Sequence, residues 1–451
     1  MKLTYDVKDK PKFGQLIVFA FQQLLAILAA TIAVPSIIQN GMSQSAALFG
    51  AGVGTIVYLL FTKFRSPVFL GSSFAFLGSM SAAFAGAYAE SAAGHAGLIL
   101  GAVFAGLVYV IIAIAVKIAG VKWINKIMPA VVIGPTVSII GLSLAGNAIG
   151  DLTNSAGTCT ASPYVCIVCG LVTLFTVVIC SVYGKKTAKL IPFIIGILAG
   201  YVVAAIFTVI GIKTGNDALK VIDFTIFSGM KIFSVPDFTF MEAFKGIKEI
   251  DGGYIASIAV AYVPVAFVVF AEHIADHKNL SSVIGKELLE DPGLHRTLLG
   301  DGVGSMIGAF FGGCPNTTYG ESVGCVAITG NASVVTILTT AVMAMVISFF
   351  GPFVTFLSSI PSCVMGGVCI TLYGFIAVSG LKMIQKVDLD ANKNLFVVAV
   401  ILICGIGNLS ISFGKVTLTS IACALILGII TNAVLHRGDK EESELDEARD
   451  R

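Results

Sequence analysis

The sequence predicts an all-α polytopic membrane protein with fourteen transmembrane segments, arranged as two inverted seven-span repeats. Three observations predict it. Hydrophobic residues make up 56% of the 451 and charged residues only 12%, where soluble domains carry about 25% charged. Apolar runs such as 98–116 and 190–212 exceed a barrel strand and match the ~20 residues of a spanning helix. Helices and closed barrels are the structures that satisfy the backbone in lipid, and these lengths select helices. The third observation is an echo between the two halves of the chain. The mean hydropathy of +0.94 agrees with such a chain.

In order, the apolar stretches are 14–34, 44–61, 70–86, 97–117, 128–148, 164–183, 190–212, 253–275, 298–312, 319–329, 332–350, 361–380, 394–411 and 416–435. The third and tenth are short or interrupted by polar residues. The N-terminus, Met1 to Lys12, is polar and basic and lacks the apolar core and cleavage site of a signal peptide. With that end inside, the inner loops hold Lys63 and Arg65; Lys117, Lys122 and Lys126; Lys185, Lys186 and Lys189; Lys278, Lys286 and Arg296; Lys382, Lys386 and Lys393. The outer loops 87–96 and 149–163 hold no Lys or Arg. This asymmetry places both termini in the cytoplasm. Loop 213–252 carries several lysines yet falls outside, and its length weakens the rule there. The tail 437–451 is highly charged and reads as a solvated cytoplasmic extension.

Two motifs recur. Pro129-Ala-Val-Val132-Ile-Gly134 returns as Pro361-Ser-Cys-Val364-Met-Gly366, seven spans later. Gly71-Ser72-Ser73-Phe74 is matched by Asn316-Thr317-Thr318-Tyr319, each at the mouth of a short span. An odd number of spans per repeat forces opposite orientations, the inverted architecture of secondary transporters. Both mouths read as broken helices, with short half-helices or strands in spans 3 and 10. Their free backbone N–H groups would point at the membrane centre.

Two acids interrupt apolar runs, Glu272 in span 8 and Glu321 in span 10. A charged carboxylate at mid-membrane costs roughly 2.5–3.5 kcal/mol, so such a residue marks a function. Asp276 lies four residues after Glu272, on the same helix face. The same string could mark a helix end, and for His277 and Lys278 that bland reading is preferred; His273, turned about 100° away from Glu272, reads as packing or support. Asp301 stands near the start of span 9, and of Gln22 and Gln23 in span 1 one faces the core. Gly320 allows close backbone approach to a ligand. Phe74 and Tyr319 read as walls of a shared pocket. No Lys or Arg occurs near these half-spans, which disfavours an anion carrier, and no second catalytic signature supports an intramembrane hydrolase. The ten cysteines form no metal pattern; Cys166 and Cys169 read as helix packing, and Cys159 with Cys166 as a weak pairing option. A net charge of +2 without a basic stripe gives no nucleic-acid signal.

A flat heterocycle with adjacent N–H and C=O groups suits this set. Its N–H groups donate to carboxylates, its carbonyls accept from the half-helix N-termini, and aromatic faces stack on the ring. A carboxylic acid in such a pocket can also load and unload a proton during transport.

These residues resemble the nucleobase–cation symporter family (nucleobase–ascorbate transporters), in particular its bacterial uracil permeases. The resemblance is carried by Gln22, Gly71-Ser-Ser-Phe-Ala-Phe76, Ala271-Glu-His-Ile274, Asp291-Pro-Gly-Leu-His-Arg296, Pro315-Asn-Thr-Thr-Tyr-Gly-Glu321 and Pro361-Ser-Cys-Val-Met-Gly-Gly367. It implies proton-coupled uracil symport by alternating access, no cofactor beyond the proton, no enzyme activity, a homodimer, and an inner-membrane location. It also implies core segments 1–126 and 253–350 and gate segments 127–252 and 351–436. Glu272, Glu321, Phe74, Gly320, Tyr319 and Ser322 are then expected at the substrate, and Asp276, Glu272, Asp301 and Gln23 in proton coupling. Departures from the family pattern are Asp276 where some uracil permeases have His, Ser322 where Asn is usual, and Gly330 where a basic residue often follows Thr329. The alternative is a purine or xanthine symporter; its members tend to carry Gln-Asn at the place of Glu321-Ser322.

Overall fold

The computed structural model describes residues 3–85, 92–120, 129–155, 159–185, 187–413 and 416–435. Lys122, Lys126, Lys186, residues 87–91 of the 87–96 loop and the 437–451 tail lie outside them. Each expected apolar stretch contains a helix, and eight described helical segments are long and apolar enough to cross a membrane, 130–151 among them counted as one although it bends at Leu144 into two helices. The chain opens with α1 (Phe13–Ile38) and α2 (Gln44–Phe61), the latter capped by Ser43 accepting from the Ala46 N–H. β1 (Leu70–Ser72) leads through one tight turn into the short α3 (Leu77–Ala83), followed by α4 (Ala92–Ala119). Next come α5 (Ala130–Ser143), α6 (Ala145–Asp151), α7 (Pro163–Tyr183) and α8 (Pro192–Thr214).

After a short α9 (Thr239–Gly246), α10 runs from Gly252 to Ile284 and α11 from Leu294 to Gly312. β2 (Asn316–Thr318) and α12 (Gly320–Thr329) form the second interrupted span. α13 (Val334–Ile347), α14 (Gly351–Ser359), α15 (Ser362–Ile384), α16 (Asn392–Ile406) and α17 (Ser420–Leu435) complete the chain. The thirteenth stretch stops as helix at Ile406, and the fourteenth starts as helix only at Ser420. Between them Ile411–Phe413 pairs antiparallel with Val416–Leu418, so that residue 411 and residues 416–418, expected within spans 13 and 14, are strand instead.

Close helix contact rests on small residues, as expected where lipid supplies no hydrophobic drive between helices. A Cβ on Gly50 of α2 would lie 2.4 Å from the Gly308 carbonyl of α11, and one on Gly141 of α5 would lie 2.2 Å from the Tyr373 carbonyl of α15. By contrast α7 and α8 turn Phe175, Ile179, Val202 and Ile206 outward, apolar faces suited to lipid.

The two short spans meet. β1 and β2 pair antiparallel, with Leu70 opposite Thr318, Gly71 opposite Thr317 and Ser72 opposite Asn316. Exchanging the matched motif positions (71 with 316, 72 with 317) exchanges the last two pairs, a local two-fold relation. Asn316 Nδ2 donates to the Gly50 carbonyl at 3.1 Å and fixes β2 against α2.

The polar N-terminus is ordered beside α12. Thr4 and Tyr5 N–H donate to the Gly330 carbonyl, Ala332 N–H donates to the Tyr5 carbonyl, and Lys286 pairs with Asp6 at 2.6 Å. Hydropathy carries no signal for that strap.

Candidate functional site

α10 is longer than its apolar pattern. Asp251 caps it by accepting from the Tyr254 N–H, and it ends at Gly285 in the left-handed region, φ 68°. Glu272 therefore stands twelve residues before the last helical residue, Ile284 (284 − 272), about 18 Å along the axis. The reading of 272–278 as a helix end does not hold: the helix runs on through Asp276, His277 and Lys278.

The mouths of the two short spans face Glu272 across one cavity of about 360 Å³. Its walls include Phe74, Glu272, Asp276, Tyr319, Gly320 and Glu321. Glu272, Asp276 and Glu321 are half-buried, each open toward the cavity. Thr318 Oγ1 donates to Asp276 Oδ2 at 2.8 Å. None of the five described ion pairs involves Glu272, Asp276 or Glu321. Three carboxyl groups without a cation among the described residues favour a ligand that donates hydrogen bonds, or protons themselves.

The mouths are built for close approach. No side chain caps α12, so its first N–H groups lack intrahelical partners. A Cβ at Gly320 would meet only Asp276 Oδ1, at 3.9 Å, so glycine leaves that backbone open. The Tyr319 ring packs against Gly71, where a Cβ would be 2.3 Å from it, and its hydroxyl donates to the Ser72 carbonyl at 2.8 Å. The Tyr319 ring is thereby fixed. Phe74 meets Tyr373 of α15 edge-on, with centroids 5.8 Å apart.

Three expected site residues stand behind this wall instead. Ser322 is fully buried and does not line the cavity: its Oγ accepts from Gln23 Nε2 at 2.6 Å and from the Phe69 N–H at 3.1 Å. Being next to Glu321 on a helix, it must point about 100° away. Gln23 is thus the glutamine of span 1 that faces the core. Asp301 is buried against His273, 2.6 Å from Nδ1, on the far side of α10. His277 is also buried and bonded, its Nε2 2.7 Å from the Tyr58 hydroxyl, rather than marking a helix end.

Sequence reasoning misses the opposite wall. Val137, Phe193, Leu372, Phe375, Ser379 and Met383 close the cavity from α5, α8 and α15. They are ordinary members of apolar runs, and only the Pro-Val-Gly echo at the starts of α5 and α15 hints that these helices act together.

Comparison with known proteins gives the family and the fold. A family model described as Permease family matches residues 14–412. A uracil permease of Bacillus caldolyticus is 38% identical over 437 residues, covering 96% of this chain and 95% of that one. A uracil permease of Bacillus subtilis is 36% identical and covers 99% and 98%; one of Escherichia coli is 33% identical and covers 94% and 92%. Among solved structures, the transmembrane domain of a cyanobacterial bicarbonate transporter, BicA, superposes with a TM-score of 0.61 at 17% identity, covering 94% of this chain and 98% of that one. Murine Solute Carrier 26 family member A9, an anion transporter in its inward-facing state, gives 0.64 at 12% identity, covering 96% and 69%. At those identities the likeness establishes the fold alone. The chain is a membrane transporter rather than an enzyme, and it belongs to the permease family of nucleobase–ascorbate transporters.

Proposed function

We propose that the protein carries uracil into the cell together with a proton, by alternating access. The observation that carries this reading is the single cavity shared by Glu272, Glu321 and the two half-span mouths. Uracil presents two ring N–H donors and two carbonyls. Glu272 and Glu321 accept from the ring, the backbone at Phe74 and Gly320 donates to the carbonyls, and Phe74 and Tyr319 wall its faces. A site whose buried groups need those partners rejects rings that lack them. The relatives named uracil permease support the same substrate.

Of the four residues expected to handle the proton, Glu272 and Asp276 face the cavity and load it; Gln23 and Asp301 act from behind. The cavity wall is divided as alternating access requires. Phe74, Glu272 and Glu321 fall in the proposed core segments 1–126 and 253–350, while Val137, Phe193 and Phe375 fall in the gate segments 127–252 and 351–436. Sliding one unit past the other would open the cavity to each side in turn. The local two-fold relation of β1 and β2 supports two inverted seven-span repeats, fourteen spans in all. Both termini are then cytoplasmic, and the protein sits in the inner membrane as a homodimer.

Uptake of labelled uracil into proteoliposomes with an imposed pH gradient tests this. Uptake should rise when the outside is acid; uptake indifferent to the gradient rejects coupling, and absence of uptake rejects the substrate. Glu321→Gln should lose uracil affinity by about 10- to 100-fold, the scale of one hydrogen bond to a charged group. Xanthine competing better than uracil would favour the purine alternative.

A further inference from the structure

The back of α10 carries a second polar system that the cavity does not use. His273 and His277 are buried one above the other, ring centroids 4.0 Å apart. His273 Nδ1 lies 2.6 Å from Asp301 Oδ2, and its Nε2 lies 3.0 Å from Thr297 Oγ1, both partners on α11. The Thr297 hydroxyl has one proton and donates it to the Leu294 carbonyl at 3.1 Å. With that bond made, Thr297 accepts from His273 and Nε2 carries a hydrogen. The Nδ1–Oδ2 contact then needs a proton of its own, because two lone pairs do not meet at that distance. In that tautomer either the acid is protonated and the imidazole neutral, or both are charged, and the pair holds the proton with zero net charge.

The surroundings keep it so. The titratable groups facing the pair are His277 on α10, Tyr58 on α2 and Tyr109 on α4, with Glu272 and Asp276 across the helix. Among the described residues, the ion pair at Asp301 is with His273 alone. Losing the shared proton would leave a bare charge in a sealed interior, and breaking such a pair costs far more than forming it gains. His277 extends the system: its Nδ1 donates to the His273 carbonyl at 2.8 Å, and its Nε2 meets the Tyr58 hydroxyl, itself 2.7 Å from Ser66 Oγ. Through these bonds α10 is fastened to α11, to α2 and to the segment that leads into β1.

We infer that His273 and Asp301 form a proton-sharing latch of constant charge that holds α10 in register, so that Glu272 and Asp276 face the cavity. Asp301 is in this view a positioning residue, and its proton stays put while the coupling proton comes and goes on the cavity face. This refines the transport reading given above and depends on it only where uracil is the probe.

Two measurements test it. Histidine-selective 15N NMR on the full-length protein, with His273 assigned through His273→Gln, reads the latch without any substrate. Nε2 should stay protonated and unchanged between about pH 5.5 and 8.5, the range in which an ordinary histidine titrates. A titration midpoint inside that window overturns the inference. The second measurement is uracil binding by melting-temperature shift across the same pH range. Asp301→Asn should weaken binding roughly tenfold, typical for partners in one bonded network, while its pH midpoint stays at the wild-type value. The exchanged double variant H273D/D301H should recover most of that loss. Asp276→Asn should instead move or flatten the profile. A flattened profile in Asp301→Asn would make Asp301 a coupling group and end the latch. If wild type binds no uracil, the substrate reading fails and the NMR result alone decides the latch.

Discussion

The two faces of α10 differ although they are built from neighbouring residues. Glu272 and Asp276 open on a cavity, with Thr318 the one described side chain bonded to either. His273 and His277, one residue further on, are sealed in a network with Asp301, Thr297, Tyr58 and Ser66. Both faces place polar groups where apolar ones are the default. The difference is enclosure: on the sealed face all four ring nitrogens of the two histidines have partners inside the protein, with Asp301 Oδ1 left over, whereas the open face keeps acceptor capacity for something that arrives. A carboxyl group open on a cavity in a transporter is an invitation to a ligand; one sealed against a histidine is part of the frame.

That contrast can be broken most sharply at Glu272. Glu272→Gln should weaken uracil binding by about 10- to 100-fold while leaving the melting temperature of the ligand-free protein close to wild type. A large loss of stability instead would place Glu272 in the frame. Ser322→Ala sharpens the comparison from the other direction. It strips Gln23 Nε2 and the Phe69 N–H of their shared acceptor, so it should cost about 1–3 kcal/mol of stability, read by thermal melting. Affinity of the folded fraction should stay within about threefold, less than the value of one neutral hydrogen bond. An affinity loss matching that of Glu272→Gln would return Ser322 to the cavity.

The smallest expected effect lies at the N-terminal strap. The Lys286 hydrogen bond and the Val7 N–H hold the Asp6 carboxyl below its ordinary 3.8. A depressed carboxyl stabilises the fold above its unfolded value, and that contribution disappears as pH falls through the folded value. Asp6→Asn should therefore cost no more than about 1 kcal/mol at neutral pH, as for exposed ion pairs. The difference from wild type should vanish on acidification, followed by urea unfolding.

Much of this arrangement is legible in the sequence. Glu272 and Glu321 stand out because carboxylates are rare in long apolar runs, and the Gly-Ser-Ser-Phe and Asn-Thr-Thr-Tyr echo locates both mouths. Asp276 follows from helical spacing. Ser322 is misplaced by sequence because adjacency along the chain is not adjacency on a helix: next to Glu321, it turns to Gln23 and Phe69. Asp301 is noticed for its polarity alone, and polarity does not say whether an acid meets a cavity or a histidine. Phe193, Phe375 and Met383 are silent because apolar residues in apolar spans carry no mark of which face lines a cavity. The pairing of 411–413 with 416–418 is lost for a related reason, since hydropathy does not separate a strand from a helix end.

The central claim is that one cavity, walled by Phe74, Glu272 and Glu321, holds the transported ring. A crystal of the protein grown with 5-bromouracil tests it directly, because anomalous scattering places the bromine without reference to any fitted density. The account predicts one strong peak between the two half-span mouths, with the ring edge on both glutamates. A peak outside that cavity, for example in the polar recess lined by Ser36, Asn40 and Gln44, would contradict it.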